Sequence, residues 1–165
     1  MFEINDVIVY QNGGVCKIVD ICTPDFVDTD DKYYKMQPVD NVDSTIYVKI
    51  NQQNCTIRPI ITSEEANGYL KNCRDVDGIY VKDLKVRDKE FNETLRTCEC
   101  EKWFALLKGI MNEQEKKRKQ GKRLTSGDDR NRKRVERLLS TEFSSSLGIT
   151  AKEAKKMIQE AMSEQ

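Results

Sequence analysis

Lys116–Arg137 reads KKRKQGKRLTSGDDRNRKRVER, and its interpretation decides the architecture of the second half of the chain. It carries eleven Lys/Arg against three acids, a net of +8 in a 165-residue protein whose formal net charge is +0. The positive charge is therefore concentrated rather than spread. Gly121 to Gly127 has turn composition, and both flanks are apolar at helical spacing. The stretch is predicted to close one helix, turn, and open the next.

On its N-terminal side, Trp103, Phe104, Leu106, Leu107, Ile110 and Met111 recur at helical intervals. They predict an amphipathic helix over 99–120 that loses its apolar face in the lysine run, with Gly121 at C′. A second helix starts near Ser126, with Thr125 and Asp128 in capping-box relation. It presents Val135, Leu138, Leu139, Phe143 and Leu147 on one face and ends at Gly148. Thr150 and Glu153 open a last helix whose face is Ala154, Met157, Ile158, Ala161 and Met162. Upstream, Thr62-Ser63-Glu64-Glu65 is a capping box that starts a helix running to about Asn72. Ile79-Tyr80-Val81 reads as a connector, and helical composition resumes from Lys82 to Leu95 with Leu84, Phe91 and Leu95 as core contacts. Trp103, on an apolar face, is read as core.

Residues 1–62 are different. They carry nine acids against five bases and are rich in Val, Ile, Tyr and Thr in short runs. Strands are predicted at 7–10, 15–21, 32–36, 44–50 and 55–57, with turns at 11–14 and 39–41 and a Pro/Asp loop over 23–31. Five short strands in about sixty residues make a small barrel or a strongly bent sheet. The expectation is an α+β chain of two domains, an N-terminal barrel over 1–62 and an all-helical bundle over 63–165. So small a sheet either exposes an edge that can accept another protein's strand or is self-contained with short edges.

Composition also narrows function. No apolar run reaches the length of a bilayer span and no leader precedes the first strand, so a cytoplasmic protein is expected. Six scattered cysteines and no histidine leave no zinc spacing and no Ser/His/Asp or Cys/His nucleophile system. No Gly-rich phosphate loop follows a strand. No catalysis, cofactor, metal or small-molecule substrate is expected. The basic stretch suits a phosphate backbone, with Lys119, Lys122, Arg123, Arg130 and Arg134 as candidate contacts, or is a solvated helix face. Tyr80, just ahead of Lys82, Lys85 and Arg87, either stacks on nucleotides or packs its connector on the bundle.

A resemblance bears on these alternatives. Asn5-Asp6-Val7-Ile8-Val9-Tyr10 through Gly14-Val15 resembles the opening of the CarD family of bacterial transcription regulators, and Ile57-Arg58-Pro59-Ile60 the close of its first domain. Glu90 to Thr97, Lys122 to Asp128 and Leu147-Gly148-Ile149 are similar to later motifs of that family, in the same order along nearly the whole chain. The resemblance implies a Tudor-like barrel that pairs a strand edge with the RNA polymerase β subunit, with contacts at Pro24 and Phe26 in the loop and Tyr47, Val48 and Lys49 on the docking strand. It also implies a helical domain at the upstream edge of the promoter bubble, altering open-complex stability and acting on the nucleoid through polymerase. The family's wedge tryptophan falls on Tyr80. Other classes stay open: a nucleic-acid-binding module independent of polymerase, and a protein–protein adaptor.

Overall fold

The computed structural model describes residues 1–163. The chain divides into two compact units, Met1–Ile60 and the segment from Ile61 onward.

The first unit is a five-stranded antiparallel sheet of β1 (Val7–Tyr10), β2 (Gly14–Cys22), β3 (Tyr33–Pro38), β4 (Ile46–Lys49) and β5 (Ile57–Pro59). Its order is β4-β3-β2-β1-β5. The β1–β2 hairpin closes with Tyr10 opposite Gly14, whose φ of 68° is open to glycine at little cost. Ile8, Cys16, Ile18, Tyr34, Met36 and Val48 form the buried core. Ile46 and Ile50 from the β4 end and Ile57 from β5 pack against the same core. The sheet thus curls round one apolar centre without a β4–β5 ladder among the described residues, and both end strands keep an unpaired side.

Strict alternation along β2 would put Val19 and Ile21 together. The register instead shifts between Ile18 and Asp20. The extra residue is a β-bulge, which reverses the side-chain parity of the rest of the strand. Val19 is 37% exposed while Ile21 packs on the core beside Ile18.

The second unit comprises α1 (Ser63–Asn72), a 3-10 turn (Cys73–Asp75), α2 (Leu84–Arg96), α3 (Cys100–Lys119), α4 (Ser126–Leu147) and α5 (Ala151–Ser163). Reciprocal capping boxes form at Thr62/Glu65 and Thr150/Glu153. At α4 the box is only half made. Thr125 accepts from the Asp128 N–H, but the Asp128 carboxylate is engaged elsewhere. Gly121 and Gly148 take the left-handed conformation that ends α3 and α4, with φ of 70° and 66°.

Trp103, Phe104, Leu107, Val135, Leu139, Phe143 and Ile158 fill the helical core. The Trp103 indole donates to the Leu95 carbonyl at 3.1 Å, satisfying its one polar atom. Each such side chain contributes about 1.5–3 kcal/mol on leaving water. Leu84 departs from the expected core set. It is the first residue of α2 after the Asp83 cap and is 56% exposed, so Phe91 and Leu95 carry the helix's packing. Met157, expected on the buried face of α5, is 38% exposed.

Two close approaches fix the loops. The connector after the 3-10 turn lies on α3, where the Ile79 N–H donates to the Ala105 carbonyl at 2.9 Å. A Cβ on Gly109 would fall 2.0 Å from the Ile79 carbonyl oxygen, so only glycine admits the connector there. Glu142, wholly buried on α4, accepts from the Ile61 N–H at 3.0 Å and the Cys100 thiol at 3.2 Å. The first residue of the helical unit is thereby pinned to its core. Among the described residues no helix is long and apolar enough to cross a membrane.

Candidate polymerase and nucleic-acid interfaces

The β4 edge offers backbone as well as side chains. The Ile50 N–H donates to the Lys32 carbonyl at 2.9 Å, and Val48 lies opposite Tyr34. Antiparallel ladders alternate, so Ile46, Val48 and Ile50 bond to the β3 side while the backbone groups of Tyr47 and Lys49 point away from it. The Lys49 carbonyl is closed into a turn by the Gln52 N–H at 3.2 Å. The Tyr47 N–H and C=O and the Lys49 N–H are what remain at the open edge. The same pleat turns the Tyr47 and Lys49 side chains away from the core.

Beside that edge the Phe26 ring, 68% exposed, meets Tyr47 edge-on at 5.1 Å. Lys49 is held by Asp31 at 2.8 Å, a bond that pulls the Asp31 carboxyl below its usual range and raises the Lys49 ammonium. Both partners are open to solvent, which screens the pair, so it yields readily to a competing acid. Of the five positions the resemblance implied for polymerase contact, Phe26, Tyr47 and Lys49 face outward together. The other two do not. Val48 is 3% exposed because it lies on the core side of β4, and Pro24 is buried in its loop.

In the helical unit the basic stretch sorts into two kinds of cation. Arg118 is paired with Glu115, Arg132 with Asp129 and Glu136, and Lys133 with Asp129. Lys116, Lys117, Lys119, Lys122, Arg123, Arg130 and Arg134 have no ion-pair partner among the described residues. Lys119, Lys122 and Arg123 lie exposed at the α3–α4 turn, with Arg130 exposed on α4. Arg134 reaches across to α2, donating to Asn92 Oδ1 at 3.1 Å with its guanidinium 5.6 Å from the Phe91 ring. Lys82 and Lys85 are exposed at the start of α2.

Of the two readings of Tyr80, its ring packs the connector on the helical unit, and Arg87 is drawn in with it. The Tyr80 hydroxyl donates to Asp128 Oδ2 at 2.8 Å, and the Arg87 guanidinium lies 4.6 Å over its ring. Arg87 itself donates from Nε to Asp128 Oδ1 at 3.0 Å and from Nη1 to the Val81 and Lys82 carbonyls. Its side chain is 12% exposed and that of Asp128 3%. The ring is thus half-buried with one face covered, and Arg87 mounts the connector instead of facing solvent. Burial first, and then the bond to Asp128, push the Tyr80 phenol well above its ordinary range. Asp128 is the residue sequence reasoning missed. The sequence marks it only as a helix cap, and the one further signal is an acid inside a basic run.

These contacts give the helical unit a rigid aromatic mount next to a rim of unpaired cations, and the β unit an open strand edge with two aromatic rings. Among the described residues no cluster of His, Cys, Asp or Glu is placed to hold a metal ion.

Residues 2–61 match the family model of the CarD-like/TRCF RID domain. The N-terminal unit is a CarD-like domain. Domains of this kind are non-catalytic modules that interact with the β subunit of RNA polymerase. The match covers the β unit to one residue beyond the unit boundary, so the CarD-like domain is the curled sheet with its open β4 edge. No curated protein matches the chain.

Proposed function

We propose that this chain is a transcription regulator that docks on the RNA polymerase β subunit through the β4 edge and contacts promoter DNA at the upstream edge of the bubble. The observation that carries the reading is the outward backbone of Tyr47 and Lys49 in a polymerase-interacting domain, flanked by the Phe26 and Tyr47 rings. Strand addition takes affinity from main-chain hydrogen bonds and specificity from such flanking side chains.

On the DNA side, Lys82, Lys85, Lys119, Lys122, Arg123, Arg130 and Arg134 meet phosphates. The Tyr80 connector, braced by Asp128 and Arg87, abuts the melted edge. Weak intrinsic DNA affinity suffices, because tethering to polymerase supplies local concentration. A preference of about 1.4 kcal/mol for the open over the closed complex shifts their ratio tenfold. The protein then acts in the cytoplasm, on the nucleoid, wherever polymerase initiates.

The test is the lifetime of open promoter complexes formed by cognate polymerase, with and without the chain, at near-physiological salt. A lifetime changed by the chain, and restored when Lys122 and Arg123 are replaced by Gln, is expected. An unchanged lifetime despite polymerase binding would refute the DNA half; absence of polymerase binding would refute the docking half.

A further inference from the structure

An open cavity of about 1120 Å³ runs along α3 from the 3-10 turn to the α3–α4 turn. Its cations are Arg74, Lys108, Arg118, Lys122 and Arg123, against the acids Glu115 and Asp129. Both acids already have partners: Glu115 bonds Arg118 at 2.7 Å, and Asp129 bonds Arg132 at 2.8 Å and Lys133 at 3.1 Å. Lys108, Lys122 and Arg123 have no ion-pair partner among the described residues. The cavity therefore presents uncompensated positive charge at both ends of its length.

The spacing of those charges selects the ligand. Lys108 and Arg118 are ten residues apart on one helix, about 15 Å along its axis, and Lys122 and Arg123 lie beyond. A single small anion would reach one end only. One strand of duplex DNA carries a phosphate per about 3.4 Å of axis, so this length runs alongside about four successive phosphates. Met111, Leu124 and Met162 supply apolar lining between the cations. Apolar surface between charges suits sugars better than an all-acidic peptide, which has little to place there.

We infer that this groove is a track for the DNA phosphodiester backbone, with Lys108 as a phosphate contact that extends the basic turn along α3. The inference rests on the DNA reading above and adds to it a path that leads from Lys122 and Arg123 to the 3-10 turn. Duplex and melted strand share this chemistry, and the measurement separates them.

Binding of the full chain to a labelled duplex and to the matching single strand is followed by fluorescence anisotropy between about 50 and 200 mM salt. Lys108→Gln reduces the slope of log affinity against log salt, by about 0.9 on duplex or about 0.7 on single strand. The ligand whose slope falls by its full expected amount while the other's stays unchanged is the one the groove holds. Lys152→Gln, exposed on α5, serves as the control and leaves the slope unchanged. Lys108→Arg keeps the charge and restores the slope, which separates loss of contact from loss of fold.

A slope unchanged in Lys108→Gln, with Lys122→Gln lowering it, would overturn the groove while leaving the DNA reading standing. No binding of the unaltered chain to either ligand at about 50 mM salt would overturn both. Polyglutamate binding the chain as tightly as DNA does, and losing affinity equally in Lys108→Gln, would reassign the groove to an acidic protein.

Discussion

Tyr47→Pro isolates the backbone contribution of the β4 edge. The Tyr47 N–H points away from β3, so its removal takes no hydrogen bond from the sheet, and edge strands accept proline on that side. In the docked state the same substitution deletes one interchain bond and leaves a partner carbonyl buried without a donor. That costs about 1–3 kcal/mol, or a weakening of about 5- to 150-fold in Kd. The ring is lost as well, and with it the contact to Phe26, so Tyr47→Ala is the reference. The assay is binding of the full chain to cognate polymerase or its isolated β fragment, with circular dichroism and urea unfolding to verify that the sheet persists. Tyr47→Pro should bind more weakly than Tyr47→Ala by that factor. Equal affinities of the two variants, with both folded, would refute docking by strand addition at β4.

In the helical unit, Asp128→Asn leaves Arg87 facing a neutral group at a site where both side chains are largely buried; a loss of about 3 kcal/mol in urea unfolding is expected, as for breaking a buried pair. Gly109→Ala would drive a methyl into the Ile79 carbonyl, and a loss of about 1–3 kcal/mol, read as a lower urea midpoint, accompanies release of the connector. The Tyr80 phenol is raised in the folded state above its ordinary 10.0, so its contribution is fully present below about pH 10 and is lost as pH climbs through the folded value. The unfolding temperature should fall more steeply from about pH 9 to 11 for the unaltered chain than for Tyr80→Phe.

The helical unit was readable because its signals are local. Thr62/Glu65 and Thr150/Glu153 announce helix starts within four residues, Gly121 and Gly148 announce ends, and the apolar spacing around Trp103 and Phe143 announces a buried face. Each depends on a backbone group a few bonds away, so no knowledge of the rest of the chain is needed. The strands of the β unit were equally local in type, and the five-strand antiparallel sheet has the predicted members with ends moved by one or two residues.

The features that escaped the sequence depend on which distant surfaces meet. The bulge between Ile18 and Asp20 reverses the parity of β2 only because Met36 and Lys35 on β3 impose the register. Val48 and Lys49 are neighbours in sequence, yet the pleat buries one and exposes the other, which divides the expected docking residues. Lys82 and Arg87 look alike in a basic run. Only the approach of α4 to the connector brings Asp128 to Arg87 and Tyr80, making one cation a structural mount while its neighbour stays in solvent. Sequence alone determined the elements, the two-part architecture and the concentration of charge, because these are set by composition and near neighbours. Tertiary structure alone decided which of the charged and aromatic side chains are available to a partner, because availability depends on contacts made across forty or more residues of chain.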